Sequence, residues 1–249
     1  MDRSVYDRMK RLEAQHWWFC ARRLLLASVI KRTLASGSHH MILEAGCGTG
    51  GNLAMLRQFG HVDAFEYDDA ARQHAAEKSG LDVRSGKLPY DVPFEGKTYD
   101  LIGLFDVLEH VLEDSASLDS LAKRLNPSGK IIATVPAYPG LWSVHDDRHH
   151  HVRRYTQASL TKAVQNAGLE MSYCSYFNTF LLPLAIAVRT AKRHTGRQTA
   201  DDALPPDSIN RILTSIFGLE RWLLGRIRLP WGLSLIAVVT KTRGRCYDN

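Results

Sequence analysis

The sequence predicts an α/β fold: a doubly wound, mainly parallel sheet with helices on both faces. Three observations predict it. From Met41 onward, short apolar runs alternate with longer amphipathic ones. The first run, Met41-Ile42-Leu43, ends in an acid, Glu44, and is followed by glycines at 46, 48, 50 and 51. A second acid, Glu66, closes the next apolar run about 20 residues beyond the first of those glycines. Strand–helix alternation of this length builds parallel sheets, because each crossover helix must cover a face.

The elements follow in order. Residues 4–35 read as a helix with mixed basic and apolar character around His16-Trp17-Trp18-Phe19 and Arg22-Arg23-Leu24-Leu25-Leu26, ended by Gly37. Strand 41–45 and helix 50–59 flank the glycines. Strand 62–66 precedes helix 69–79, and a short strand near 81–84 leads into a loop with Pro89 and Pro93. Strand 100–105 precedes helix 114–124. The turn Asn126-Pro127-Ser128-Gly129 opens strand 130–135, which Pro136 closes. Helix 157–167 starts behind Thr156 as its N-cap and stops at Gly168. Strands 169–177 and 233–241 end the pattern, separated by a long segment, 178–231, with Pro205-Pro206 in its polar middle. Connections are usually short, so an insert of this length points to a functional role. The expected organisation is a single domain over 1–249: a helical cap (1–36), a ligand-binding core (37–177), a helical insert or lid (178–231), and a last strand and tail (232–249).

Composition narrows the class. The chain has 249 residues, 45% hydrophobic, which suits one domain with a full core. Cys20, Cys47, Cys174 and Cys246 form no C-x-x-C pair, so a reduced, cytoplasmic protein is expected. The polar N-terminal residues do not read as a signal peptide, and the longest apolar run, Phe180–Val188, falls short of the ~20 residues of a spanning helix. Charge is uneven. Residues 1–34 carry +5, 35–188 carry −5 and 189–249 carry +6. Basic ends around an acidic core attract phosphorylated substrates, nucleic acid or an anionic membrane surface.

The glycines let a ligand lie directly on the backbone, and Gly46, Gly48 and Gly51 also fit the dinucleotide pattern G-x-G-x-x-G. Glu44 decides between ligands. A carboxylate at the loop mouth repels a pyrophosphate but suits the ammonium and sulfonium of S-adenosylmethionine. Glu66 stands where an acid hydrogen-bonds the two hydroxyls of a ribose. Leu104-Phe105-Asp106-Val107-Leu108-Glu109-His110 closes strand 100–105, where Leu104 and Phe105 read either as an adenine wall or as core.

LEAGCGTGGNL, Glu66, FDVLEHV and LNPSGKIIATVP, in that order, resemble the successive motifs of the class I S-adenosylmethionine-dependent methyltransferases over about residues 40–177. The resemblance implies a seven-stranded sheet with a reversed last strand. It also implies cofactor contacts from Glu44, Gly46, Cys47, Gly48 and Gly50 (methionine half), Glu66 (ribose) and Phe105 (adenine edge), with Asp106 as a further contact. Many members place an acid after the third strand. Here Arg84-Ser85-Gly86-Lys87-Leu88-Pro89 has none, so adenine recognition there is expected to rest on backbone groups. HWWFCARR, the stretch from Pro136 to Tyr155, and RLPWGLSLIAV are similar to a bacterial subgroup of the family.

The loop after strand 130–135 is expected over the reacting methyl. It offers His145 and His151 as general bases, in that order, and Tyr138, Trp142 and Arg153 as acceptor contacts. Its histidines lack zinc spacing, so no metal is expected. The cap and insert supply Trp17, Trp18, Phe19, Phe177, Phe180, Trp222 and Trp231 beside Arg22, Arg23, Arg189, Arg193 and Arg221, which suggests a partly hydrophobic or anionic small-molecule acceptor, with O- or N-methylation favoured. Peripheral membrane contact is a further reading, and no nucleic-acid partner is expected. The alternatives are an NAD-dependent oxidoreductase on a Rossmann domain and a nucleic-acid methyltransferase.

Overall fold

A computed structural model describes residues 3–37, 39–195 and 204–242, with side chains undefined at Ser4 and 189–195. The sheet has seven strands: β1 (His40–Ala45), β2 (Gly60–Glu66), β3 (Val83–Ser85), β4 (Tyr99–Phe105), β5 (Leu125–Pro136), β6 (Leu169–Phe177) and β7 (Ser234–Lys241). Their order is β3-β2-β1-β4-β5-β7-β6, with β7 antiparallel to both neighbours and the other pairings parallel. The order reverses between β1 and β4, which opens a crevice at their carboxyl ends. The doubly wound class, the seven strands and the reversed last strand are all as expected.

The strands are apolar on both faces, and their alternation divides the interior in two. Ile131, Ala133 and Val135 of β5 pack with Leu118, Leu121, Leu160 and Val164 on one side, from α5 (Asp114–Ala122) and α7 (Gln157–Asn166). Ile132 joins Leu25, Leu26, Val29, Ile30 and Phe217 on the other, from α2 (Trp17–Thr33) and α9 (Asp207–Gly218). Fully burying a side chain of this size stabilises by about 1.5–3 kcal/mol, so two continuous cores hold the sheet rigid beneath the crevice.

The ends of the chain depart from expectation. The single helix 4–35 is two: α1 (Arg3–Leu12) and α2, broken at 13–16 where the His16 ring accepts from the Trp18 amide as N-cap. The helix after the glycines shrinks to α3 (Leu53–Leu56), because positive φ at Gly46, Gly48 and Gly50 keeps that backbone in a loop. Asn126–Gly129 lies inside β5, where the pairing with β4 shifts register, rather than forming a separate turn. Helix α4 (Asp69–Ser79) matches expectation, capped by Asp68 and ended by Gly80 at φ +69.

The insert is helical, as expected: α8 (Leu182–Thr195) and α9, with a 3-10 turn at Leu219–Trp222. Part of its polar middle, 196–203, lies outside the described residues. Buried Glu220 anchors it by accepting from the amides of Asn178, Thr179 and Phe180 at 2.7–2.9 Å. Asn210 accepts from the Trp17 amide and donates to the Gln15 carbonyl, which ties α9 to the α1–α2 corner. Cap and insert thereby meet over the crevice.

Candidate active site

A cavity of about 1110 Å³ lies at the carboxyl ends of β1, β2, β4 and β5, beneath the cap and insert. One wall is the glycine loop. The amides of Gly46 and Cys47 both donate to the Phe65 carbonyl at 3.0 Å, which folds the loop back over β2. Gly46 has φ +73, and a Cβ there would come within 2.9 Å of Val107. Glu44 is buried at the head of this wall. Its Oε1 accepts from Asn52 at 2.8 Å, while its Oε2 has no hydrogen-bond partner. Burial pushes its carboxyl up to about 7, against the Asn52 hydrogen bond and the Arg22 charge. A buried acceptor oxygen without a donor is costly, and a cationic ammonium placed there would satisfy it.

Glu66, 7% exposed, accepts from the Gly48 amide at 2.8 Å and from the Asp68 amide at 2.9 Å. Burial raises its pKa while these amides lower it. The Tyr67 amide also acts on this carboxylate, and the acceptor capacity left on its oxygens is of the kind a ribose hydroxyl uses. Gly86, Lys87 and Leu88 line the cavity beside it, and the Lys87 ammonium lies 5.0 Å from the Tyr67 ring centroid.

Phe105 and Asp106 reach the cavity from the carboxyl end of β4. The Phe105 ring sits on the α2 side, 5.9 Å below the Arg22 guanidinium. Asp106, at φ +57, pairs with Arg22 at 2.6 Å, and Thr134 both accepts from Arg22 and donates to Asp106. Arg22 is thus a buried cation carried by the cap onto the strand ends. Trp18 adds a cation–π contact at 5.0 Å.

The opposite wall is built of histidines. Asp146 lies on α6 (Val144–Arg148), fully buried. It accepts from Arg154 Nε at 2.7 Å and Nη2 at 2.9 Å, from the Ser143 amide at 2.8 Å, and is bound by Nδ1 of His151 at 2.9 Å. These donors hold its carboxyl well below the usual carboxylate range despite burial. His110 stacks edge-on against His151 at 4.7 Å, and His145 lies 4.0 Å from His149. Burial, with histidine neighbours, pushes His110 down to about 4 and His149 down to about 2, so both are neutral near pH 7. Glu109 is buried, and desolvation with the Asp106 charge raises its pKa.

The structure thus brings Glu44, Gly46, Cys47, Gly48, Glu66, Phe105, Asp106, His145 and His151 around one void. It does not bring Gly50, Tyr138, Trp142 or Arg153 to it. Gly50 serves packing instead: a Cβ there would meet Ala75 of α4 at 3.0 Å. Tyr138 stacks on Tyr176 at 5.2 Å. Trp142 donates to Asp147 at 2.9 Å on the surface, and Arg153 binds Asp114 and the Leu112 carbonyl. Closeness in sequence to His145 and His151 suggests these three, but the α6 turn and the return along β5 point them away. Sequence reasoning missed Glu13. It is 2% exposed, accepts from Thr49 at 2.6 Å and pairs with Lys78, and so clamps the cap onto the glycine loop. No local motif marks it.

Comparison with known proteins agrees with this geometry. A family model described as a methyltransferase domain matches residues 15–173. An S-adenosylmethionine-dependent methyltransferase of Mycolicibacterium smegmatis is 24% identical over 64% of this chain and 62% of its own length. A ubiquinone biosynthesis O-methyltransferase of Xylella fastidiosa is 33% identical over 43% of this chain and 45% of its own. The chain therefore spans less than two thirds of these relatives. In fold, it resembles a chain of the complex between the Haloferax volcanii Trm112 methyltransferase activator and its methyltransferase (TM-score 0.61, 18% identity, 98% of this chain and 96% of that one). It also resembles the geranyl diphosphate C-methyltransferase of Streptomyces coelicolor (TM-score 0.59, 13% identity, 87% and 75%). The nicotinamide alternative, which shared only the glycines and Glu66, is set aside by a match that runs from the cap to β6. The chain belongs to the class I S-adenosylmethionine-dependent methyltransferases, and S-adenosylmethionine is its cofactor.

Proposed function

We propose that this protein moves a methyl group to the oxygen or nitrogen of a small, partly hydrophobic acceptor. One observation carries the reading: the carboxylate-rimmed glycine loop and the histidine wall face each other across a single cavity. The residues present fit the cofactor. The unpartnered Glu44 Oε2 would take its ammonium, Gly46–Gly48 its methionine chain and Glu66 its ribose, while Tyr67 and Leu88, which line the same cavity as Phe105, would flank the adenine. When bound, the sulfonium supplies an electrophilic methyl. The chain's own residues do the rest. Trp17, Trp18, Leu181, Leu184 and Leu213 wall the cavity with apolar surface, exclude water and align the acceptor. A hydroxyl acceptor must lose a proton. We assign that proton to His145, half-buried at the cavity edge, where it passes to water. Asp146 fixes the ring of His151, which makes it the positioning residue of the wall.

The relative named for ubiquinone biosynthesis favours an O-acceptor with an apolar tail. Incubation of the protein with methyl-labelled S-adenosylmethionine and a cell extract is expected to label an organic-extractable product. Loss of label with Glu44→Ala and Gly46→Val, but not with Trp142→Ala, supports the reading. No labelled small molecule with a protein that binds S-adenosylhomocysteine overturns it.

A peripheral contact with anionic lipid is favoured by one surface. Lys31, Arg32, Arg221 and Arg226 surround a pocket of about 460 Å³ beside Trp222, with Leu219 and Trp222 more than half exposed nearby. Among the described residues no helix is long and apolar enough to cross a membrane. Of the cations named from sequence, Arg22 faces the cavity, and the Arg189 and Arg193 side chains lie outside the described residues. Salt-sensitive sedimentation with phosphatidylglycerol vesicles, but not phosphatidylcholine vesicles, is the expected result, and equal recovery in the supernatant of both would refute it.

A further inference from the structure

Glu109, His110 and His151 each bring one potential ligand atom to within 4.8 Å of the others, at the histidine wall of the cavity. We propose that these three hold a divalent first-row transition-metal ion, of the zinc or manganese type, that receives an oxygen of the acceptor. The proposal rests on the methyl-transfer reading for its use but not for its existence. It also revises the expectation of no metal. That expectation came from spacing in one loop, whereas this set joins two segments 41 residues apart.

Four observations support the site. Two imidazoles and one carboxylate form a donor set that borderline divalent ions accept, with positions left open for substrate. Glu109 is 1% exposed and its Oε2 has no hydrogen-bond partner, a cost that a cation would offset. Both imidazoles have outer partners of the kind that orient metal ligands. Asp146 holds Nδ1 of His151 and leaves Nε2, while the His150 backbone holds one nitrogen of His110. The segments are joined where it matters, since the Val152 amide donates to the Glu109 carbonyl at 2.7 Å.

Charge permits the ion. The two nearby guanidinium groups are already paired, Arg22 with Asp106 and Arg154 with Asp146, so Glu109 is a buried carboxyl without a guanidinium partner, and a bound cation would displace its proton. The ion's role follows. An acceptor hydroxyl held there becomes more acidic. Its oxygen forms a bond to the methyl carbon as the sulfur–carbon bond breaks. The sulfur keeps the electron pair as a thioether, and the proton leaves through His145. The acceptor class is accordingly one with an oxygen donor beside or at the methylated position.

The test uses Co²⁺ alone, with no cofactor or acceptor present. Protein dialysed against chelator is titrated with Co²⁺, followed by visible absorption and by elemental analysis after equilibrium dialysis. One Co²⁺ per chain is expected. Glu109→Gln and His151→Ala are each expected to weaken binding about 100-fold or more, and Asp146→Asn about 10- to 100-fold, through the orientation of His151. His74→Ala, on α4, is the control and leaves binding unchanged. Because a buried variant can fail to fold, wild-type protein is also followed by NMR, where Co²⁺ is expected to shift the ring protons of two histidines. Absence of stoichiometric Co²⁺ in the wild type, or binding unaltered by Glu109→Gln and His151→Ala, overturns the site. Co²⁺ binding without S-adenosylhomocysteine binding would strike the methyl-transfer reading and leave the site standing.

Discussion

The two walls of the cavity are built on opposite principles. The glycine wall comes from nearly consecutive residues, Glu44 to Gly51, and its shape is set by positive φ and by backbone donors. The histidine wall is assembled from distant side chains, Glu109-His110 and Asp146 to Arg154, and its shape is set by one buried carboxylate with charged partners. The first wall will tolerate loss of a side chain with little effect on the fold but not on ligand affinity. In the second wall, position and stability are carried by the same groups.

The largest effect expected from this contrast is on Asp146. Asp146→Ala leaves Arg154 buried without its anion, a loss of about 3–5 kcal/mol read as a lowered urea midpoint. The Asp146 pKa is depressed in the native state, so its contribution is present above the ordinary carboxylate range and lost as pH falls through the native value. An Asp146→Ala protein as stable as wild type would break the comparison.

Glu44 tests the other wall with the opposite sign. Its carboxyl is raised from 4.5 to about 7. The ligand-free protein therefore loses stability as pH climbs from below 4.5 through 7, by about 3 kcal/mol. Glu44→Gln should flatten that slope in thermal melts between pH 5 and 8. Wild-type affinity for S-adenosylmethionine should rise over the same interval, because the ammonium favours the ionised form. A pH-independent affinity in the wild type would remove Glu44 from the ammonium site.

Glu66→Ala should cost about 1.5–3 kcal/mol of S-adenosylhomocysteine binding by calorimetry, roughly 10- to 100-fold, with a smaller change in melting temperature. Gly50→Ala sharpens the contrast within the loop. At φ +78 and against Ala75 it should destabilise by about 1–3 kcal/mol while the affinity of the folded fraction is kept. Trp142→Ala is the smallest. Its side chain lies on the surface, so ligand affinity should move by no more than about 0.5 kcal/mol. A larger drop would mean that the 139–148 segment folds over the cavity in solution.

The glycine wall was largely legible because its information is local. An apolar run ending in Glu44, glycines at positions that need positive φ, and an acid at the end of the next strand state backbone geometry directly in residue type. Gly50 shows the limit of that reading. Positive φ identified it as a glycine position, but only the contact with α4 shows that the missing side chain makes room for Ala75 rather than for a ligand. On the acceptor side, the types of His145, His151 and Arg153 suggested chemistry, but their directions depend on how α6 and the strand-like segment 151–155 fold back onto β5. The Tyr155 amide donates to the Pro136 carbonyl, and the Tyr138 amide to the Tyr155 carbonyl. That return sends His151 inward and Arg153 outward to Asp114.

By itself the sequence determined the strand order along the chain, the doubly wound class and the glycine loop, because hydrophobic period, caps and glycine conformations act over a few residues. Tertiary structure decided which side chains meet. The pairing of Arg22 with Asp106, the clamp of Glu13 on Thr49 and the meeting of His151 with Glu109-His110 all join segments at least 36 positions apart. Such contacts have no period to read. They are fixed by the packing of cap, insert and sheet around one void.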